Sequence, residues 1–460
     1  MPTAKSANKA IRNSDEPVQI AVIGGGPKAA AIAAKAWVLR EQKLADIHVT
    51  VFEPERIGAY WAGKAGYTDG EQRLCTIAER DVGYPYNSMF GDAVDAAMSS
   101  TFSWGRYLHT RPSGYEKGYS TWVDAGRKPP LHRHFADYLR WVISEASPQV
   151  RVVKAHVTGL RVDAKRWEVV VKNPNGRTST HSTRFDATVV TGPGQAKRLP
   201  VQVAAGEKLP SSRIFNGQDF WQRLSEVRKC LKQAASESRF DAENDIVIIG
   251  AGGTAAAILS WLVANGARDL PIQMVASQAS LYTRVDSVFE NRLFSDETRW
   301  RTLSSTSRRA FFDRLNRGVV WATVMDNVSS ANKFTMVDGR AEKIEVSSAI
   351  MQLVVRRGDG EEVNVRPSML IDCAGFDPWW FLPLIDGFPI PGARGDQKRR
   401  EVWQQKMGEN LQLLGAPWNK YPALHAPMLS SELGPGFGSL MVLGAMADRV
   451  LRPHRFETTA

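Results

Sequence analysis

The residues best suited to chemistry in this chain gather around glycine, twice. Near its start the sequence reads "VQIAVIGGGPKAAAIAAKA", and far downstream "NDIVIIGAGGTAAAILSWL". The first holds Gly24-x-Gly26-x-x-Ala29 with Pro27 inside it, and the second Gly250-x-Gly252-x-x-Ala255 with Thr254 inside it. In such a run the leading glycine permits a tight turn and the next lets backbone approach a pyrophosphate. The small third residue lets the helix pack on its strand. The anion would rest on the helix N-terminus, where unpaired N–H groups and the helix dipole favour it. Glu53 ends the next strand, "DIHVTVFE", where a carboxylate can accept hydrogen bonds from both ribose hydroxyls. After the second glycine run the following strand, "LPIQMVAS", ends without an acid, in Ser277 and Gln278, with Arg284 beyond. Hydroxyl, amide and guanidinium groups suit a 2′-phosphate that a carboxylate would repel. The first device therefore reads as a site for FAD and the second as a site for NADPH, with hydride passing between them.

Nothing else in the chain competes for the chemistry. Cys75, Cys230 and Cys373 lie far apart and offer neither a disulfide framework nor a paired-cysteine metal site. The missing cysteine pair also argues against a disulfide reductase. His132 and His134 would share a face on a strand, but before "FADYLRWVIS" they read as polar residues beside a helix. With no paired carboxylates and no Ser-His-Asp set evident, the flavin would carry the reaction.

The elements that must position these groups repeat in order. "VQIAVI" is a near-continuous apolar run, as in a buried parallel strand, and "AAAIAAKAWVLREQ" is an alanine-rich helix. "VRVVKAHVTGLRV" and "RWEVVVKNPNGRTSTHSTRF" read as an antiparallel meander about an "NPNG" turn, before a buried strand in "FDATVVTGPG". In the second half "GRAEKIEVSSAIMQLVVRRGDG" supplies the meander and "SMLIDCAGFDP" plays the part of "FDATVVTGPG". The fold class expected is α/β: two Rossmann-like dinucleotide-binding domains with antiparallel β-meanders, plus a small substrate region. The expected division is a disordered tail over 1–17, an FAD-binding domain over 18–205, and an NADPH-binding domain with substrate-contacting insertions over 206–368. The FAD domain then returns over 369–460 with a C-terminal flavin and substrate loop.

The bulk numbers agree. With 460 residues the chain exceeds one ordinary core, and its 43% hydrophobic and 23% charged content is that of a globular protein. No apolar run approaches the roughly 20 residues of a membrane span. The polar leader has no apolar core of the secretory kind, so a cytoplasmic protein is expected. The net charge of +11 is dispersed and forms no basic stripe, which argues against nucleic acid as partner. A homo-oligomer is compatible with these numbers.

Several further stretches carry a resemblance. "GAYWAGKAGYTDGEQRLCTIAERDVGYPY", "LYTRVDSVFENRLFSDETRW", "RGVVWATV", "LIDCAGFDPWWF" and "GPGFGSLMVLGAMADRVL" resemble the flavin-dependent N-hydroxylating monooxygenases, most of all the mycobactin-type lysine N-oxygenases. The likeness covers about residues 18–452. It implies that Trp61 lies beside the isoalloxazine and that Gly438, Ser439 and Leu440 reach the flavin through backbone. Arg80 stands where ornithine-type relatives carry a lysine that binds the substrate α-carboxylate. Asn291 matches the asparagine holding the amino-acid end of the substrate, and Phe376 takes an aromatic place in "DCAGFDP". At Arg317 the ornithine-type relatives carry an asparagine, whereas lysine-type relatives share "RGV". The resemblance implies FAD reduced by NADPH, O2 carried as a C4a-hydroperoxyflavin, and attack by the amine of lysine, giving an N-hydroxyamine for siderophore or related hydroxamate assembly. Ornithine, a diamine, or oxygenation at carbon or sulfur by the same fold are the alternatives. A nucleotide-binding regulator without turnover is disfavoured by two complete sites.

Overall fold

Val18–Ile23 and Ile47–Phe52 are rich in β-branched residues and are buried at all but one position each. A strand covered on both faces suits a parallel sheet layered with helices. The two pair in parallel from Val18↔Ile47 to Ile23↔Phe52. The computed structural model describes residues 16–63, 66–110, 118–237, 245–278, 280–284, 287–316, 319–348, 350–389, 396–431 and 433–455. The tail expected over 1–17 therefore lies almost wholly outside the described residues.

The first sheet has five parallel strands in the order Ala423–His425, Ala187–Val190, Val18–Ile23, Ile47–Phe52, Val150–Val153. The second has five parallel strands in the order Phe334–Asp338, Ile272–Ala276, Asp245–Ile249, Pro367–Asp372, Ile214–Asn216. In both, the strand that runs into the glycine turn is central. Its neighbours are the next strand in sequence on one side and a strand returning from beyond a meander on the other. The Pro27–Glu41 helix touches Asp92–Phe102, His132–Glu145 and Leu443–Leu451, so almost every one of its positions is buried. Lys35 on this helix is fully buried and pairs with Asp448 of Leu443–Leu451 at 2.8 Å.

The meanders form as expected, with two corrections of membership. His156–Asp163, Arg166–Lys172 and Thr178–Thr180 are antiparallel, but Val150–Val153, read from sequence as part of that meander, joins the first sheet in parallel. It is an edge strand in which both Arg151 and Val152 are exposed. Arg340–Ser347, Ile350–Arg356 and Glu362–Val365 form the second meander, which Val201–Val203 joins in parallel.

These pairings also move the expected boundaries. Val201–Val203 lies before 206, yet pairs within the second unit. Pro367–Asp372 straddles 368/369, yet is wholly a strand of the second sheet. Two antiparallel connectors join the units, with the Lys197 amide donating to the Gly375 carbonyl at 2.9 Å and the Asp377 amide to Gln195 at 3.1 Å.

Candidate active site: two glycine cradles and a buried arginine

Each parallel sheet ends in a turn that only glycine fits. Gly24 has φ +103°, and a Cβ there would stand 2.3 Å from Thr191 Oγ1. Gly250 has φ +93°, and its Cβ would stand 2.6 Å from the Cys373 carbonyl oxygen. Thr191 and Cys373 hold equivalent places just past the returning strands. Their amides donate to Ile23 at 3.1 Å and Ile249 at 2.9 Å respectively. The turns then open: Gly26 and Gly252 are the N-caps of the Pro27–Glu41 and Gly253–Leu262 helices. A Cβ at either would meet nothing within 4 Å. No side chain caps either helix start, so no side-chain acceptor competes there with an incoming diphosphate for the first-turn amides, which in the first helix begin at Lys28 because Pro27 has none.

Beside the first cradle, Glu53 is buried, with Oε2 accepting from the Gly25 amide at 2.8 Å and Oε1 from the Glu55 amide at 3.1 Å. Burial raises its pKa, while those two amides act in the opposite sense. The carboxylate is thus fixed in direction, and each oxygen keeps acceptor capacity for a ribose hydroxyl. Beside the second cradle Ser277 is exposed and Thr254 half-buried. Arg284 closes the Tyr282–Arg284 strand. Its side chain, and all of Arg317, fall outside the described residues.

A third group forms where three chain segments meet. Arg80 is 7% exposed, with Nη1 donating to Thr76 Oγ1 at 2.9 Å and lying 3.6 Å from Met441 Sδ. It is therefore a buried group. Asp81 next to it accepts from the Gly83 amide at 3.0 Å, the Trp104 amide at 2.8 Å and the Tyr86 hydroxyl at 2.7 Å. Burial nonetheless pushes its carboxyl up to about 6. Met441 follows the loop containing Gly438, Ser439 and Leu440, which is pinned by the Ser439 amide donating to Gly436 at 3.0 Å. A Cβ at Gly436 would stand 2.8 Å from the Phe294 carbonyl of helix Val288–Ser295. That helix carries Asn291 in its interior. Ser287 is the cap, accepting from the Glu290 amide, so a capping role for Asn291 is excluded.

Trp61 lies half-buried, edge-on to His132 at 4.9 Å and to Phe135 at 5.6 Å. His132 opens the His132–Glu145 helix, with Nδ1 2.9 Å from Thr68 Oγ1, and burial lowers it to about 4, so it is neutral near pH 7. Phe376, on a connector, meets Tyr67 edge-on at 5.0 Å. Gln72 Nε2 donates to the Ala257 carbonyl at 3.1 Å, which joins the Trp61–Arg80 region to the helix of the second cradle. The contacts of Thr191, Gln72 and Met441 escaped the sequence reading because they span long sequence separations, while His132, read as a polar residue beside a helix, does open one. Among the described residues no cluster of His, Cys, Asp and Glu could hold a metal.

A profile of the L-lysine 6-monooxygenase/L-ornithine 5-monooxygenase family matches residues 88–344. The chain is 33% identical over 454 residues to L-lysine N6-monooxygenase MbtG of Mycobacterium tuberculosis (strain CDC 1551 / Oshkosh), covering 96% of each chain. To the enzyme of that name from Mycobacterium sp. (strain MCS) it is 32% identical over 451 residues, 94% of each chain. It also superposes on the solved lysine monooxygenase NbtG from Nocardia farcinica with TM-score 0.73 and 28% identity, covering 94% of this chain and 99% of the other.

Proposed function

The chain belongs to the L-lysine 6-monooxygenase/L-ornithine 5-monooxygenase family, and from that premise we propose that it N-hydroxylates the side-chain N6 of L-lysine with FAD, NADPH and O2. The balanced reaction is R–NH2 + O2 + NADPH + H+ → R–NHOH + H2O + NADP+. The observation that carries it is the pair of equivalent open cradles, one with a buried acid beside it and one with none, in a chain that also buries Arg80. Lysine over ornithine is favoured by full-length similarity to lysine N6-monooxygenases, whereas the L-ornithine N(5)-monooxygenase of Pseudomonas aeruginosa matches at 26% over 43% of this chain.

In this reading Gly24, Gly26 and Pro27 bring backbone to the FAD diphosphate, Glu53 holds its ribose, and Trp61 and Gly438–Leu440 border the ring. When bound and reduced, FAD would supply the activation of O2, one atom of which goes to the amine and the other to water. Gly250, Gly252 and Thr254 cradle NADPH, with Ser277 and Arg284 placed for its 2′-phosphate. Arg80 clamps the substrate α-carboxylate, bidentately if its fork is free to turn, with Asn291 and Arg317 at the substrate's polar ends. The attacking amine must be neutral, although free lysine titrates near roughly 10.4. A dry site with a cation nearby lowers that value. The setting proposed is the cytoplasm and the product's use a hydroxamate.

Mass spectrometry of products from lysine, ornithine, diamines and sulfides, with FAD, NADPH and O2 supplied, tests this. A one-oxygen gain on lysine above the others supports it. Preference for ornithine, a diamine or a sulfide refutes the lysine assignment.

A further inference from the structure

Lys28 is the second residue of the Pro27–Glu41 helix and is 9% exposed. Among the described residues it has no hydrogen-bond or ion-pair partner. Burial alone lowers its ammonium to about 8. Its place is doubly unfavourable for a cation, since the start of a helix is already the positive end of its dipole. Burying an unpaired charge costs free energy unless a partner arrives. The other buried lysine of this helix, Lys35, shows what such a group ordinarily finds, its ion pair with Asp448 at 2.8 Å. Lys28 lies seven residues earlier, two turns or about 10 Å nearer the cradle and on the same helix face. Helical side chains lean toward the N-terminus, so the Lys28 stem starts on the cradle side of its own helix, and a Cβ at Gly26 would meet nothing within 4 Å.

We propose that Lys28 is a binding residue for the dinucleotide diphosphate in the first cradle, its ammonium supplying the ion pair that the protein alone leaves unmade. This rests on the FAD reading of that cradle. The diphosphate adds to the helix amides a point charge that the glycine turn cannot provide. The free protein keeps the unfavourable cation as the cost of holding a pre-set contact. Lys28 is accordingly unlike the glycines around it: removing its charge harms the complex and spares the empty fold.

The test compares wild type, Lys28→Met and Lys28→Arg. FAD affinity is read by quenching of flavin fluorescence, thermal stability without cofactor by melting, and the lysine KM under saturating FAD. The expected result for Lys28→Met is FAD affinity lower by about 10- to 100-fold, the size of a lost hydrogen bond to a charged group. Its cofactor-free melting temperature should be unchanged or raised, and Lys28→Arg should regain most of the affinity. An unchanged FAD affinity, or a raised lysine KM with FAD affinity intact, overturns the proposal, the second outcome moving Lys28 to the substrate. A cofactor-free Lys28→Met protein that melts much earlier or fails to fold also overturns it, by making Lys28 a structural residue. Failure of the wild type itself to bind FAD refutes the FAD reading and Lys28's role with it, and is distinguished by the first titration.

Discussion

Arg80 shows how far a residue's meaning depends on its surroundings. Its type alone allowed both a carboxylate clamp and an exposed ion pair. Only the fold buries it against Thr76 and Met441, beside a loop more than three hundred residues away in sequence. A buried guanidinium that clamps a carboxylate, as proposed above, should matter for binding. We expect Arg80→Ala to raise the lysine KM by about 10- to 100-fold, the scale of a lost charged hydrogen bond. NADPH oxidation should persist, with hydrogen peroxide appearing in place of hydroxylated product. Steady-state kinetics with peroxide detection check this, and unchanged hydroxylation would place the clamp elsewhere. Glu53 was legible from sequence because it closes a predicted strand after a glycine run. His132 was not, because two histidines beside an apolar run carry no hint that one will pack edge-on against Trp61.

At the scale of elements, the glycine turns were legible because their demands are local: a left-handed φ and a helix start near the motif. The structure divides the glycines by what surrounds them. At Gly24 the backbone is left-handed and Thr191 occupies the space of a side chain, whereas Gly26 has ordinary backbone and open space. Gly24→Ala should therefore destabilise the fold by about 1–3 kcal/mol, the usual cost of a strained backbone position. Gly26→Ala should fold normally and lose FAD affinity, because its methyl projects into the cradle. Denaturant melts and FAD titrations of the two variants separate the effects, and equal destabilisation by both would remove the distinction. The strand Val150–Val153 was misplaced for an opposite reason. Four residues, three of them valine, carry no period that separates an edge strand of a parallel sheet from a strand of a meander.

For the whole molecule, the arrangement of two like sheets was readable, while their junction was not. The connectors 194–197 and 374–377 pair across more than a hundred residues of sequence, and the Gln72–Ala257 hydrogen bond has no sequence signature. Buried titratable groups give the assembled protein a pH dependence. Burial lowers His132 and His425 each to about 4, below the roughly 6.5 of the unfolded chain. Between those values the unfolded state binds more protons, so stability is full above about pH 6.5 and falls on acidification toward about 4, by at most roughly 3 kcal/mol per histidine. Asp81, pushed up to about 6, acts oppositely, since its native carboxyl takes up a proton first and adds stability as pH falls below that value. Burial also raises Glu53, Asp69, Asp95, Asp245 and Asp372 and lowers His48 and His181, so the histidine share is read by substitution: in urea melts between neutral pH and about 4.5, His425→Gln should lose less stability on acidification than wild type, whatever it does to stability at pH 7. A slope unchanged in the variant would show that His425 titrates normally.

In the proposed reaction the two cradles hold a flavin and its reductant so that one atom of O2 reaches the lysine side chain. Incubation of the protein with FAD, NADPH and L-lysine under isotopically heavy O2 reads this directly. The product should be N6-hydroxylysine carrying the heavy isotope, with none formed when NADPH is withheld. Hydroxylysine bearing oxygen from water, or NADPH consumed with lysine unchanged under every condition, would contradict it.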